Sequence, residues 1–283
     1  MRKKYLTMKS TVVVLLSMLA LVCSPGKQSS SIRFPYLWLD EPGFGGNIDQ
    51  QNFTEPSGIC FHPLRKTLFV VSDEGEVAEI TKEGRPVANH RVPGDLEGIT
   101  VDPGTGLLYI VVEGDDVILE FDPDEKRITR RFTVNRRYKD DPFFLQKQED
   151  AYDNGIECLE FVPNASHPEG GTFYAGNQWD PSCIMELDVP LKSARGETAE
   201  ARILRVFSVR IDDPAAMCFD KRSGFLNIVS DADNILFEVT LQGALVRAYA
   251  FLGDNQEGIA LDDEGFLYIA QDSGGILKVK DLR

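Results

Sequence analysis

Apolar positions along the chain fall into short runs broken by Asp, Pro and Gly, and the runs repeat. "SGICFHPLRKTLFVVSD" (Ser57–Asp73) lies over "EGITVDPGTGLLYIVVE" (Glu97–Glu113) and "AAMCFDKRSGFLNIVSD" (Ala215–Asp231) without a gap. "EGIALDDEGFLYIAQD" (Glu257–Asp272) fits with one deletion in the turn, and "ECLEFVPNASHPEGGTFYAGNQ" (Glu157–Gln178) fits with a longer turn. Each copy reads as strand, tight turn, strand. A third strand follows each one: "EVAEI" at Glu76, "DVILEF" at Asp116, "CIMEL" at Cys183, "NILFEV" at Asn234 and "GILKV" at Gly275. A fourth follows in most: "RPVANHRV", "KRITRRFTV", "ARILRVFSV" and "ALVRAYAF".

Helical periodicity is nearly absent, which argues against an α/β alternative. Antiparallel strands recurring every ~40 to 60 residues predict an all-β, five-bladed β-propeller of four-stranded antiparallel blades. Six blades is the alternative, if "RRYKDDPFFLQKQEDAYDN" (Arg136–Asn154) holds a divergent one; it reads more readily as a polar insertion. The last copy stops after its third strand. "IRFPYLWLD" (Ile32–Asp40) is the expected donor of the missing fourth, which would close the ring and leave no open edge.

The chain begins differently. Arg2, Lys3, Lys4 and Lys9 precede "TVVVLLSMLALV" (Thr11–Val22), an apolar run too short to span a bilayer as a helix, which needs about 20 residues. Residues 1–23 therefore read as an export signal, 24–31 as a polar linker and 32–283 as one propeller domain. Cys23 directly after the run predicts a bacterial lipoprotein whose thiol carries the lipid, although Val22 departs from the small residues such sites prefer. Cleavage nearby without a lipid is the alternative. The expected location is the periplasm, or the outer membrane or cell surface through that lipid alone.

Charge narrows the partners. Removing residues 1–23 takes away four of the 30 basic residues and none of the 45 acidic ones, leaving 26 against 45, a net charge of −19. Such a surface repels phosphate and argues against nucleic acid. It suits a monomer that binds a protein or small-molecule ligand, and it suits cations wherever carboxylates converge. Cys60, Cys158, Cys183 and Cys218 match no metal-binding spacing. They could pair in three ways after export, but three of them lie in apolar runs, so free and buried thiols are expected.

In a propeller, equivalent positions share radius and height, so a repeated residue becomes a ring. The first strands open with Ser57, Glu97, Glu157, Ala215 and Glu257; two residues earlier stand Glu55, Asp95, Gly155, Asp213 and Asn255. The second strands end with Asp73, Glu113, Gln178, Asp231 and Asp272. Glutamates converging on a channel mouth repel one another, and a hard divalent cation removes the repulsion. Calcium, with six to eight oxygen ligands, is the natural candidate. Zinc has no suitable donors, since His62, His90 and His167 show no metal-site spacing. The second ring reads mainly as turn-capping, because strand-end acids often accept backbone N–H bonds.

With "SGI…VVSDEGEV", "GDLEGITVD…LYIVVE" and "EGIALDDEGFLYIAQD" in view, the chain resembles the SdiA-regulated family of bacterial exported proteins over about residues 50 to 280. The most specific motifs are "DLEGI" (Asp95–Ile99) and "SDEG" (Ser72–Gly75). The resemblance implies a five-bladed propeller, distantly similar to NHL-repeat proteins, with a shared calcium site. Carried over by motif, it makes Glu97, Glu157 and Glu257 the best candidates for metal ligands, with Asp73 next; the repeat by itself leaves Glu113, Asp231 and Asp272 as a possible second ring. Cys158 and "DPAAM" (Asp213–Met217) depart from the family pattern and put ligands of the third and fourth blades in question. Two functions follow. One is a calcium-binding interaction module at the cell envelope. The other is a calcium-dependent hydrolase of lactonase or phosphoesterase type, with Glu113 or Asp272 as its base. No catalytic nucleophile stands out.

Overall fold

The computed structural model describes residues 32–33, 46–145, 155–179, 181–251 and 255–280. The expected signal, Cys23 and the linker lie outside them. The described residues contain strands and turns and no helix. After a short β1 (Ile32–Arg33) come β2 (Pro56–His62), β3 (Thr67–Ser72), β4 (Glu76–Ile80) and β5 (Pro86–Arg91), an antiparallel meander. The next is β6 (Leu96–Val101), β7 (Leu108–Val112), β8 (Val117–Asp122) and β9 (Arg127–Val134). A third is β10 (Ile156–Pro163), β11 (Gly171–Asn177), β12 (Cys183–Asp188) and β13 (Thr198–Val206). β14 (Pro214–Asp220), β15 (Phe225–Ser230), β16 (Ile235–Thr240) and β17 (Leu245–Ala250) form the fourth; β18 (Gln256–Leu261), β19 (Phe266–Gln271) and β20 (Ile276–Lys280) form the last. Parallel pairing of β9 with β13 fuses the second and third meanders into one eight-stranded sheet.

The strands of a meander differ in burial by their place in it. Second strands such as β7 (LYIVV) and β11 are buried throughout, because both faces of the inner sheet are covered. Fourth strands alternate or stay exposed, as in β5 and β13. Five apolar clusters fill the spaces between neighbouring meanders, and the last joins Ile59, Leu68 and Val70 of the first meander to Ala260, Tyr268 and Ile276 of the last. The first strands also touch in a closed cycle, with β18 returning to β2. They approach very closely: a Cβ on Gly98 would stand 2.5 Å from the Leu159 amide nitrogen, and one on Gly258 2.9 Å from that of Ile59. Glycine is required there by contact between backbones.

The closing segment differs from the expectation. Ile32–Arg33 pairs in parallel with β17, on the outer edge of the fourth meander, while 34–40 lie outside the described residues. The edge of the last meander is instead met by residues 46–48. Ile48 N donates to Ile276 O at 2.8 Å and Lys278 N to Gly46 O at 3.0 Å. A two-residue strand has no register preference of its own, so the available edge decided its partner. In the 136–154 insertion, the described residues hold a single Tyr138–Asp141 bridge and no strand.

The four cysteines Cys60, Cys158, Cys183 and Cys218 are free and buried, as expected. Four of the five third strands carry a glutamate at one repeat position, each with an arginine partner, while β20 has Lys278 there. Arg65 grips Glu79 with two bonds of 2.9 Å; Arg130 donates to Glu120 at 2.9 Å, Arg205 to Glu186 at 2.6 Å and Arg247 to Glu238 at 2.7 Å.

Candidate metal centre

Every first strand begins with a break in its pairing. The register with the second strand shifts between Pro56 and Gly58, Leu96 and Ile99, Ile156 and Cys158, Pro214 and Ala216, and Gln256 and Gly258. The residue skipped is Ser57, Glu97 (with Gly98), Glu157, Ala215 or Glu257, the expected first ring. A bulge of this kind re-aims the side chain it carries. Just upstream, Glu55, Asp213 and Asn255 have φ of 49°, 52° and 51°, the left-handed region. A fixed hydrogen bond then ties the second ring to this corner. The amide of Asp73 donates to Glu55 O (3.4 Å), Glu113 to Asp95 O (2.9 Å), Gln178 to Gly155 O (3.0 Å), Asp231 to Asp213 O (3.2 Å) and Asp272 to Asn255 O (2.9 Å). The meander thus delivers three repeat positions to one end of the first strands, and both expected rings meet there.

Acids converge at Asp73, Asp95 and Glu97, where one carboxylate oxygen from each lies within 4.8 Å of the other two. Among the described residues this is the one such trio of His, Cys, Asp or Glu. Glu97 and Glu157 are buried, Asp73 is half-buried and Asp95 is exposed, so the trio runs from the interior to solvent. Ser57 donates its hydroxyl to Asp73. The Glu157 Oε1 is buried without a hydrogen-bond partner. Asp95 was outside the ligand set expected from the sequence. Its signal was nonetheless present, since Glu55, Asp213 and Asn255 repeat acid or amide character at that position.

The electrostatics are those of carboxyls crowded together in a low-dielectric place. Burial pushes Glu97 well above the usual carboxylate range, with Asp73, Glu257, Asp95 and Glu113 adding to it. Glu157 is raised in the same way, by burial and then by Glu97 and Glu113. Glu257 is pushed up to about 8 by burial and by Asp231, Asp213, Asp272 and Asp73. Asp73 reaches about 6 through burial, despite the Ser57 hydrogen bond. The charges that act most on these four groups are all negative.

The far side of the ring is weaker. Gln178 stands where an acid would be, Ala215 offers no ligand, and Asp231 accepts the Gln256 amide at 2.9 Å. At the opposite ends of the first strands, repeat-related acids are occupied locally. Asp102, Asp220 and Asp262 each accept an amide two residues on, at 2.8 to 2.9 Å, which sets their turns. The donor set at the acidic corner is therefore all oxygen, anionic and short of cations. That is the chemistry a calcium ion matches, and the orphaned Glu157 oxygen is one that a cation would satisfy.

The profile of the SdiA-regulated family matches residues 41–273. Among solved structures, glutaminyl cyclase of Myxococcus xanthus is similar with a TM-score of 0.54 at 12% identity, covering 82% of this chain and 94% of that one. Hydrazine synthase of Kuenenia stuttgartiensis gives 0.46 at 14% identity, covering 78% of this chain and 56% of that one. No curated protein matches the chain.

Proposed function

We infer that this chain, which belongs to the SdiA-regulated family and has its β-propeller-like domain, is a calcium-binding interaction module of the bacterial cell envelope. Each meander is taken as one blade, five in all; the cyclic contact of first strands supports that count. The observation that carries the metal reading is the trio Asp73, Asp95 and Glu97, with Glu157 buried beside it and, among the described residues, carboxylates as the charges that act most on them. Glu257, Glu113 and Asp272 stand close enough to shape the same field. Bound calcium would supply the positive charge that lets these carboxylates ionise together in the folded state. The chain's own residues provide the preformed oxygens, through the bulge that aims Glu97, Glu157 and Glu257 and the backbone bond that holds Asp73.

The export signal and Cys23 supply the envelope part of the reading, with the lipid as the membrane link. A catalytic cation is the second reading, favoured by the exposure of Asp95, which leaves one side of the trio open to solvent. The neighbours' fold alone carries no activity across at these identities. The test is calorimetric titration of the EDTA-treated protein with calcium, paired with thermal unfolding. Calcium at about 100 times its Kd is expected to add about 2.7 kcal/mol of stability, and EDTA to remove it. Unchanged melting under both would sink the metal reading. Calcium-dependent turnover of lactone or phosphoester substrates would move the protein to the catalytic one.

A further inference from the structure

The first strands also end somewhere, and their far ends enclose a different kind of space. A cavity of about 330 Å³ opens there, lined by the last residues of β2, β6, β10, β14 and β18 and the turns after them. Phe61, Val101, Phe161, Phe219 and Leu261, one from each first strand, contribute apolar surface to its wall. A dry cavity of about 150 Å³ accommodates one benzene ring, so this one has room for a ring and a short chain. It lies within the range of small-molecule sites, at its lower end.

One position breaks the apolar character. The repeat places Cys60, Thr100, Glu160, Cys218 and Ala260 at the same level of the five strands, and all line the cavity. Four are small and uncharged; Glu160 is the single acid. Thr100 donates its hydroxyl to Glu160 Oε2 at 2.9 Å and accepts the Phe161 amide at 3.1 Å, so the carboxyl is positioned by the neighbouring strand. The Phe219 backbone also bonds it, yet burial holds Glu160 up to about 7. Among the described residues no ion pair holds Glu160, although Lys221 at the mouth acts on it through space. The other charged groups around the mouth are engaged. Arg222 donates to Asp220 at 3.0 Å, Lys66 to Asp263 at 2.6 Å, and Asp262 accepts Tyr268 Oη at 3.1 Å. Four acids line this space against Lys221 and Arg222.

We propose that this cavity is a binding site for a small organic cation, an ammonium group on an apolar body of about one aromatic ring, with Glu160 as its anionic partner. The ammonium gives the half-buried Glu160 carboxylate a charged donor inside the cavity, and the apolar body covers the ring of phenylalanines and aliphatics. The site is at the opposite ends of the first strands from the acidic corner and stands whether or not calcium binds there.

The test uses phenethylamine as probe, titrated into the full domain by ligand-observed NMR or calorimetry, beside its uncharged and anionic counterparts 2-phenylethanol and phenylacetate. The amine is expected to bind at least about tenfold more tightly than either, as a hydrogen bond to a charged group implies. Glu160→Gln is expected to remove that advantage. Lys221→Gln, an exposed change that leaves the fold intact, is expected to tighten the amine severalfold. Glu97→Gln, at the other end, is expected to leave amine binding unchanged. Equal binding of the alcohol, or an amine affinity untouched by both Glu160→Gln and Lys221→Gln, would overturn the proposal. Loss of amine binding in Glu97→Gln would do so as well, by placing the amine at the acidic corner.

Discussion

Two sets of buried and half-buried glutamates occupy repeat positions in this molecule, and they meet opposite fates. Glu79, Glu120, Glu186 and Glu238 sit in third strands, and arginines of the same meander reach each of them. Glu79 and Glu120 work against the cost of burial through those bonds, and both stay below the usual carboxylate range. Glu97, Glu157 and Glu257 open first strands, where the nearest charges are other carboxylates, and all three are raised. Residue type and burial are alike in the two sets. What differs is the neighbouring charge: arginines within the meander for one set, and other carboxylates for the other.

Breaking the first set should have the largest effect. Arg130→Ala leaves Glu120 (3% exposed) without its guanidinium and is expected to cost about 3–5 kcal/mol in urea unfolding. In the calcium-free protein, Glu97→Gln should go the other way and raise stability, because it removes one of the mutually repelling charges. A loss comparable to that of Arg130→Ala would erase the distinction between the sets.

pH separates them next. Carboxyls raised in the folded state hold protons that the unfolded chain gives up. For Asp73, from 3.8 to about 6, and Glu257, from 4.5 to about 8, stability is therefore present at low pH. It falls as pH rises through those windows. Glu79 and Glu120, lowered on folding, contribute above their unfolded values and lose that contribution as pH drops through their folded ones. Unfolding of the EDTA-treated protein between pH 5 and 8 should show declining stability, and calcium should flatten the decline; a rise over that range would contradict the acidic corner as described.

Smaller effects sharpen the ligand set. Glu97→Gln is expected to weaken calcium by about tenfold or more, roughly 1.4 kcal/mol, and Asp73→Asn by less, since Ser57 already shares that carboxylate. The reverse order in calorimetric titration would shift the centre of the site to the second ring. Asp272→Asn, at the margin of the cluster, should change calcium affinity the least, by about threefold at most, roughly 0.65 kcal/mol.

Much of this was legible before any coordinates. The repeat copies coincide with the meanders because two-sided burial demands unbroken apolar second strands, and Asp, Pro and Gly mark the turns between. The ring idea followed from repetition alone, and it named Glu97, Glu157 and Glu257. Asp95 escaped because nothing in linear order says that the residue two positions before Glu97 brings its carboxylate beside those of Glu97 and Asp73. The bulge does that, and bulges leave little trace in hydrophobic pattern. Ile32–Arg33 was assigned to the wrong edge for a related reason: alternation tells a strand from a loop but not one open edge from another.

By itself, then, the chain's order of residues determined the strands, their repetition and the excess of acid at one repeat position, since these depend on local polarity and turn chemistry. Tertiary structure decided which acids meet which charges. Third-strand glutamates and their arginines belong to the same meander, while first-strand glutamates converge from different meanders onto a shared end. Electrostatic energy depends on distance and dielectric, and neither is written in sequence separation.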